Sequence, residues 1–217
     1  KLGAEVGGSK EYIDWYTDVQ KFARKNDLSI EENYQKISEM MDIQSFIDNF
    51  CFQIYVAACD SVTNNVAFWR TKTVSDQEYC DGKWRWIIYD TDDSLGIKVL
   101  EEYTAYDVDS FTAGHMFIAP TDDILFSSLL QNEEYKNRFI ETFYQMEEEI
   151  FEPSLVNEVI DEFVDEYMDA AILSHQRWHA GEYSEEDYLE YVDVVREFFD
   201  NRKEYINQHM KEALELE

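Results

Sequence analysis

The chain has 217 residues, 45% hydrophobic, 30% charged and 16% aromatic, which is enough apolar material for one sizeable core or two small ones. Its 7 Gly and 2 Pro argue against collagen-like, low-complexity and turn-dense all-β chains, and the aromatic load argues against intrinsic disorder, so a mainly α fold is expected. The 18 Lys plus Arg against 48 Asp plus Glu leave a net charge of -30, which repels nucleic acid and anionic membrane surfaces, and no apolar run reaches the roughly 20 residues that membrane insertion needs.

The segment after Ser9, EYIDWYTDVQKFARK, places Tyr12, Ile13, Tyr16, Val19 and Phe22 at helical spacing. Ser29 and Glu32 have the spacing of a capping box for a second helix running to about Met41. Asp42 caps a third, whose face of Ile43, Phe46, Ile47, Phe50 and Ile54 is widened by Cys51, Tyr55 and Ala58 until it is apolar almost all round, as in a buried central helix. Asp60 to Asn65 is polar turn material, and a strand begins near Val66. Asp81-Gly82 supplies a turn before KWRWIIYD, so the two strands pair as a hairpin with Trp84 and Trp86 on one core-filling face. Residues 93–121 lack periodicity, a length usually found in functional or mobile loops.

Helical patterning returns at Asp122 with DDILFSSLLQN and NEEYKNRFIETFYQMEEEIF. Pro153 then enforces a break before SLVNEVIDEFVDEYMDAAILSHQRWH, and Ser184 with Asp187 opens a last helix striped by Tyr188, Tyr191, Val192, Val195, Phe198 and Phe199. No repeat or linker divides residues 1–217, which read as a single domain. Cys51 and Cys59 stand about 12 Å apart along the predicted central helix and cannot pair, so at most one disulfide, to Cys80, is open.

Two stretches carry chemistry. Asp60-Ser-Val-Thr-Asn-Asn65 lies where a buried helix ends and a strand begins, and its Asp-to-Asn spacing is that of a kinase catalytic loop, although Asp and Asn are also ordinary turn residues. Tyr89-Asp-Thr-Asp-Asp-Ser-Leu-Gly96 crowds three carboxylates beyond an apolar strand with no basic residue between Arg85 and Lys98. Such crowding suits a hard divalent cation with oxygen ligands, and alternating Asp90 and Asp92 can point the same way from an extended backbone; a solvated acidic turn is the competing reading.

In order, these segments are helix, Asp-x-x-x-x-Asn, strand, turn, strand and acidic loop. Together with LLQNEEYKNRFIETF and HQRWHAGEYSEEDYLEYVDVVREFFDNRKEYINQHM they resemble the spore-coat protein H (CotH) kinase family over about residues 45–210. The resemblance implies an atypical protein-kinase-like carboxyl-terminal lobe, a helical α+β bundle with one small β-hairpin carrying the metal loop. It also implies phosphate transfer from ATP to a protein acceptor, with Mg2+ or Mn2+ as the metal and an extracellular, cell-surface or spore-surface setting. By resemblance, Asp60 takes the place of the catalytic Asp, Asn65 that of the metal-supporting Asn, and Asp90 and Asp92 those of the two metal-loop aspartates. Asn64 adjoins the matched Asn and leaves the register open by one, and Tyr89 stands where the family commonly has Trp. A kinase also needs an upstream lobe with an ATP-anchoring Lys. Only 59 residues precede Asp60 and most read as helix, so the chain is expected to be one lobe of a larger protein, inactive when isolated.

Three rival readings stand beside this one. Asp90, Asp92, Ser94 and Glu101 fall at positions 1, 3, 5 and 12 of a calcium loop, although Gly96 is one place late for its sharp turn and a strand enters it. A non-catalytic acidic interaction domain would instead engage a basic or sugar partner. Finally, His175 and His179 lie four apart on a helix, a spacing compatible with a metal but equally with packing or helix-end charge.

Overall fold

The architecture is organised around one buried helix. A computed structural model describes residues 10–62, 64–179 and 181–216, with Tyr12 described by its backbone alone. The chain is 62% helical, and among the described residues eight α-helices accompany one small two-stranded antiparallel sheet. The central helix is α3 (Ile43–Tyr55), preceded by α1 (Lys10–Lys25) and α2 (Glu31–Met40). Asp42 caps α3 by accepting a hydrogen bond from the Ser45 amide, which offsets one of the orphan donors of the first turn. Ile47, Cys51 and Ile54 are fully enclosed, so this helix is held by packing, each buried aliphatic side chain contributing about 1.5–3 kcal/mol.

The expected capping box of α2 is absent. Ser29 turns back instead, its amide and hydroxyl both donating to Asp27 Oδ1 at 2.9 and 2.6 Å, and the helix begins after Ile30 without a side-chain cap. A local Asp that accepts two bonds outcompetes a serine offered to the helix. The expected Ser9 start of α1 lies outside the described residues.

Strands β1 (Ala67–Trp69) and β2 (Arg85–Ile87) pair antiparallel, with Ala67 opposite Ile87, Phe68 opposite Trp86 and Trp69 opposite Arg85. The link between them is not the expected tight turn at Asp81-Gly82 but the whole segment 70–84. Arg85 explains this: its guanidinium grips both Asp81 oxygens at 2.8 Å and lies 3.0 Å from Asp42 Oδ2, fastening the returning chain to the N-cap of α3. Trp84 and Trp86 fill core as expected, Trp86 standing edge-on to Phe46 at 4.7 Å and Phe68 stacking on Tyr16 at 4.1 Å.

Segment 93–121 is irregular apart from a 3-10 turn at Lys98–Leu100, the one-turn α4 (Glu101–Thr104) and a second 3-10 turn at Pro120–Asp122. Asp123 caps α5 (Ile124–Leu129) and Asn132 caps α6 (Glu133–Glu149), which packs on α3. Pro153 is the first residue of α7 (Pro153–Trp178), where its missing N–H costs nothing, and Glu152 caps that helix. Ser184 and Asp187 form the full capping box of α8 (Glu185–Ala213). All three cysteines are free thiols, and among the described residues no helix is long and apolar enough to cross a membrane.

Candidate functional site

The site begins where α3 ends. Val56 closes the helix, Ala57 adopts a left-handed conformation (φ 52°), and residues 56–61 stay buried although they are no longer helical. Their backbone groups therefore need partners from elsewhere. Leu95 donates to the Val56 carbonyl at 3.0 Å, the Cys59 amide donates to the Asp93 carbonyl at 3.1 Å, and the Met116 amide donates to the Cys59 carbonyl at 2.8 Å. These three bonds draw the acidic loop after β2 and the segment beyond α4 onto the loop that carries Asp60.

Asp60 is 6% exposed, and its two oxygens are in different states. Oδ2 accepts from Asn65 Nδ2 at 2.6 Å and from Asn64 Nδ2 at 3.1 Å, whereas Oδ1 is buried with no partner. Asn64 Nδ2 also reaches Asn65 Oδ1 at 3.3 Å, so both candidate Asn side chains belong to one network. Asn65 holds a left-handed backbone (φ 41°), which Asn tolerates better than most residues.

The acidic loop follows β2. Beyond Ile87 the chain continues through exposed Ile88 and Tyr89 to Asp90, itself left-handed at φ 54°. Lost hydration raises the pKa of Asp90, and the neighbouring Asp92, through its charge and a hydrogen bond, and then Asp60 add to the shift. Asp93 is raised by lost hydration and then by Asp60, Asp92 and Asp90. Four carboxylates from two separate stretches thus share one electrostatic neighbourhood, and among the described residues no Lys, Arg or His forms an ion pair with any of them. The thiol of Cys59 is pushed up to about 11 by burial and then by Asp60 and Asp93.

Among the described residues no group of three or more His, Cys, Asp or Glu side chains is arranged to enclose a metal ion, and this includes the 90–101 segment read as a calcium cage. There Ser94 is buried and spends its hydroxyl on the Thr91 carbonyl at 2.6 Å. Asp90 and Asp92, neighbouring carboxylates on one loop, match the donor chemistry of Mg2+ or Mn2+, since Mg2+ characteristically takes one or two protein carboxylates and fills its shell with water and substrate phosphates. His175 and His179 stack at 4.4 Å, with Tyr183 stacked on His175 at 3.9 Å, a packing arrangement.

Two contributors have no individual motif role in the sequence. Asp93 is the third carboxylate of the crowded 89–96 stretch, adjacent to the matched motif. Arg202 of α8 is fully buried and donates to the carbonyls of Ile54 (3.0 Å), Tyr55 (2.9 Å), Tyr106 (2.8 Å) and Val108 (2.7 Å) and to Ser110 Oγ. It clasps the end of α3, just ahead of Asp60, to segment 106–110. The available signal was a cation four residues from both Phe198 and Ile206 within an apolar stripe.

Compared with known proteins, the chain matches no curated protein and no solved structure. The family model described as "CotH kinase protein" matches residues 3–206, most of the chain, and the chain belongs to the CotH kinase family.

Proposed function

We propose that the chain carries the catalytic and metal-binding half of an ATP-dependent protein Ser/Thr phosphotransferase. The observation that carries this reading is the convergence of Asp60 with Asp90, Asp92 and Asp93, stitched by backbone hydrogen bonds, with one Asp60 oxygen buried and unpartnered. Family membership supports the reaction class.

Asp60 Oδ1 is the atom available to receive a proton, because Oδ2 is held by two amides. In transfer, the acceptor hydroxyl oxygen forms a bond to the γ-phosphorus, the bond from that phosphorus to the β,γ-bridging oxygen breaks, the hydroxyl proton passes to Asp60, and ADP leaves. Asn64 and Asn65 fix the carboxylate so that little reorganisation accompanies the step. Asp90, with Asn65 and Asp92, would hold Mg2+ or Mn2+, which when bound supplies neutralisation of the phosphate charge. The net charge of -30 favours basic acceptor proteins through steering, and the spore-coat association of the family supports an exported or surface setting.

The test is γ-phosphate transfer from labelled ATP to a basic protein, with the chain expressed alone and within its complete reading frame. Asp60→Asn should abolish transfer while leaving metal-dependent nucleotide binding within about twofold, and Asp90→Ala should remove both. Transfer that survives Asp60→Asn would refute the assignment of the proton acceptor. Absence of transfer from both forms, with Mg2+ and with Mn2+, would refute the enzymatic reading.

A further inference from the structure

Helix α7 has two apolar rows and covers only one of them. It is 26 residues long with no residue fully buried, and it packs chiefly on α8. The covered row, Val156, Ile160, Val164 and Met168, is half-buried, and beside it Arg196 of α8 pairs with Asp161 at 2.5 Å and bonds Asn157. The next row round the helix, Leu155, Val159, Phe163 and Tyr167, recurs every four residues and is 42–55% exposed. The rings of Phe163 and Tyr167 pack on each other at 5.6 Å, and both side chains are about half exposed. Beyond that row runs a third, Glu158, Glu162 and Glu166, none of which has an ion-pair partner among the described residues.

A repeating apolar row flanked by unneutralised carboxylates specifies its occupant. A second copy of this chain would bring its own Glu158, Glu162 and Glu166 against a surface of the same sign, at -30 per chain. A basic segment brings the missing cations. The row spans about 18 Å, three turns and a little more, which matches a helix of about a dozen residues. We propose that the Leu155–Val159–Phe163–Tyr167 row is a docking site for a basic amphipathic helix of a partner protein, apolar side chains on the row and Lys or Arg over Glu158, Glu162 and Glu166. The site is on α7 and independent of the phosphotransfer reading, which concerns the far end of α3 and the loop after β2.

The experiment uses the whole chain and two synthetic peptides of identical Leu and Lys composition, one with Leu at helical spacing and one scrambled, read by fluorescence anisotropy near 0.15 M salt. The patterned peptide is expected to bind at least tenfold tighter than the scrambled one. Phe163→Ser with Tyr167→Ser should bring it down to the scrambled level without shifting the melting temperature, and Phe163→Ser alone serves if the double variant melts early. Charge reversal by E158K, E162K and E166K should weaken the patterned peptide at least tenfold and flatten its salt dependence. Equal binding of both peptides, or patterned binding untouched by the Phe163 and Tyr167 changes, would overturn the proposal. So would a wild-type dimer in sedimentation that those changes dissociate, since the occupant would then be a second copy.

Discussion

Replacing Arg202 with Met keeps the bulk of the side chain and removes every donor. Ile54 O would retain the Ser110 hydroxyl at 2.6 Å, but the Tyr55, Tyr106 and Val108 carbonyls would each lose the bond that Arg202 makes to them. Each stranded acceptor costs about 1–3 kcal/mol. Against this stands relief from burying a guanidinium among neutral groups, a burial that pushes its pKa down to about 9, so the side chain is still charged at neutral pH. That penalty is several kcal/mol for a buried ion. The three stranded acceptors together cost about 3–9 kcal/mol, and after subtracting the relieved ion penalty the net destabilisation should be about 2–4 kcal/mol, which is roughly 4–16 °C in melting temperature for a domain of this size. Arg202→Lys should fall between wild type and Met, because an ammonium offers three donors and cannot span acceptors on two chain segments. Urea titration followed by tryptophan fluorescence measures the difference. A Met variant within about 1 kcal/mol of wild type would refute the clasp, since those carbonyls would then be satisfied without the arginine.

Three further outcomes follow from the geometry. Iodoacetamide at pH 8 should modify partly exposed Cys80 well before Cys59, whose thiol is buried and pushed up to about 11, or Cys51, as peptide mass spectrometry would show; early labelling of Cys59 would contradict the packing of the Asp60 loop. Gly96→Ala should cost about 1–2 kcal/mol, because Gly96 sits at φ 78° and an added Cβ would meet Val194 Cγ1 of α8 at 3.1 Å; an unchanged melting curve would refute it. Burial holds His115 below its ordinary pKa, so the unfolded chain binds that proton more tightly. Its contribution to stability is complete above about pH 6.5 and is lost as pH falls through the lowered value, and His115→Gln should flatten that part of a pH-stability profile measured by urea midpoint.

Elements with an unbroken local pattern could be read directly. The apolar surround of α3, its Asp42 cap, the Ser184–Asp187 box and the paired strands all follow from periodicity or from a cap with no competitor nearby. Ser29 was misleading because Asp27, two residues earlier, offers the same hydroxyl a better partner. The segment joining β1 and β2 departs from a simple turn because a turn dipeptide is only a local signal, while Arg85 gripping Asp81 and Asp42 is a tertiary one. At the candidate site, Asp60, Asn65, Asp90 and Asp92 were visible as motif residues. The backbone bonds from Cys59 and Val56 that bring them together were not, since a carbonyl carries no signature in the sequence. Arg202 belongs to the same class, a single side chain whose acceptors come from two distant segments.

The pairing of β1 with β2 makes the alignment of the two acidic stretches all-or-none. Phe68 lies opposite Trp86 on the core face, and Asn65 stands two places before the first paired residue of β1 while Asp90 stands three beyond the last of β2. Because side chains alternate in direction along a strand, sliding one partner by a single position would swing Phe68 out of the aromatic cluster and expel it into water. The hairpin therefore admits no graded offset between Asn65 and Asp90. An insertion of one residue at position 66 keeps that register and displaces Asn65 relative to Asp90, whereas the same insertion in segment 70–84 leaves both strands and both flanking stretches in step.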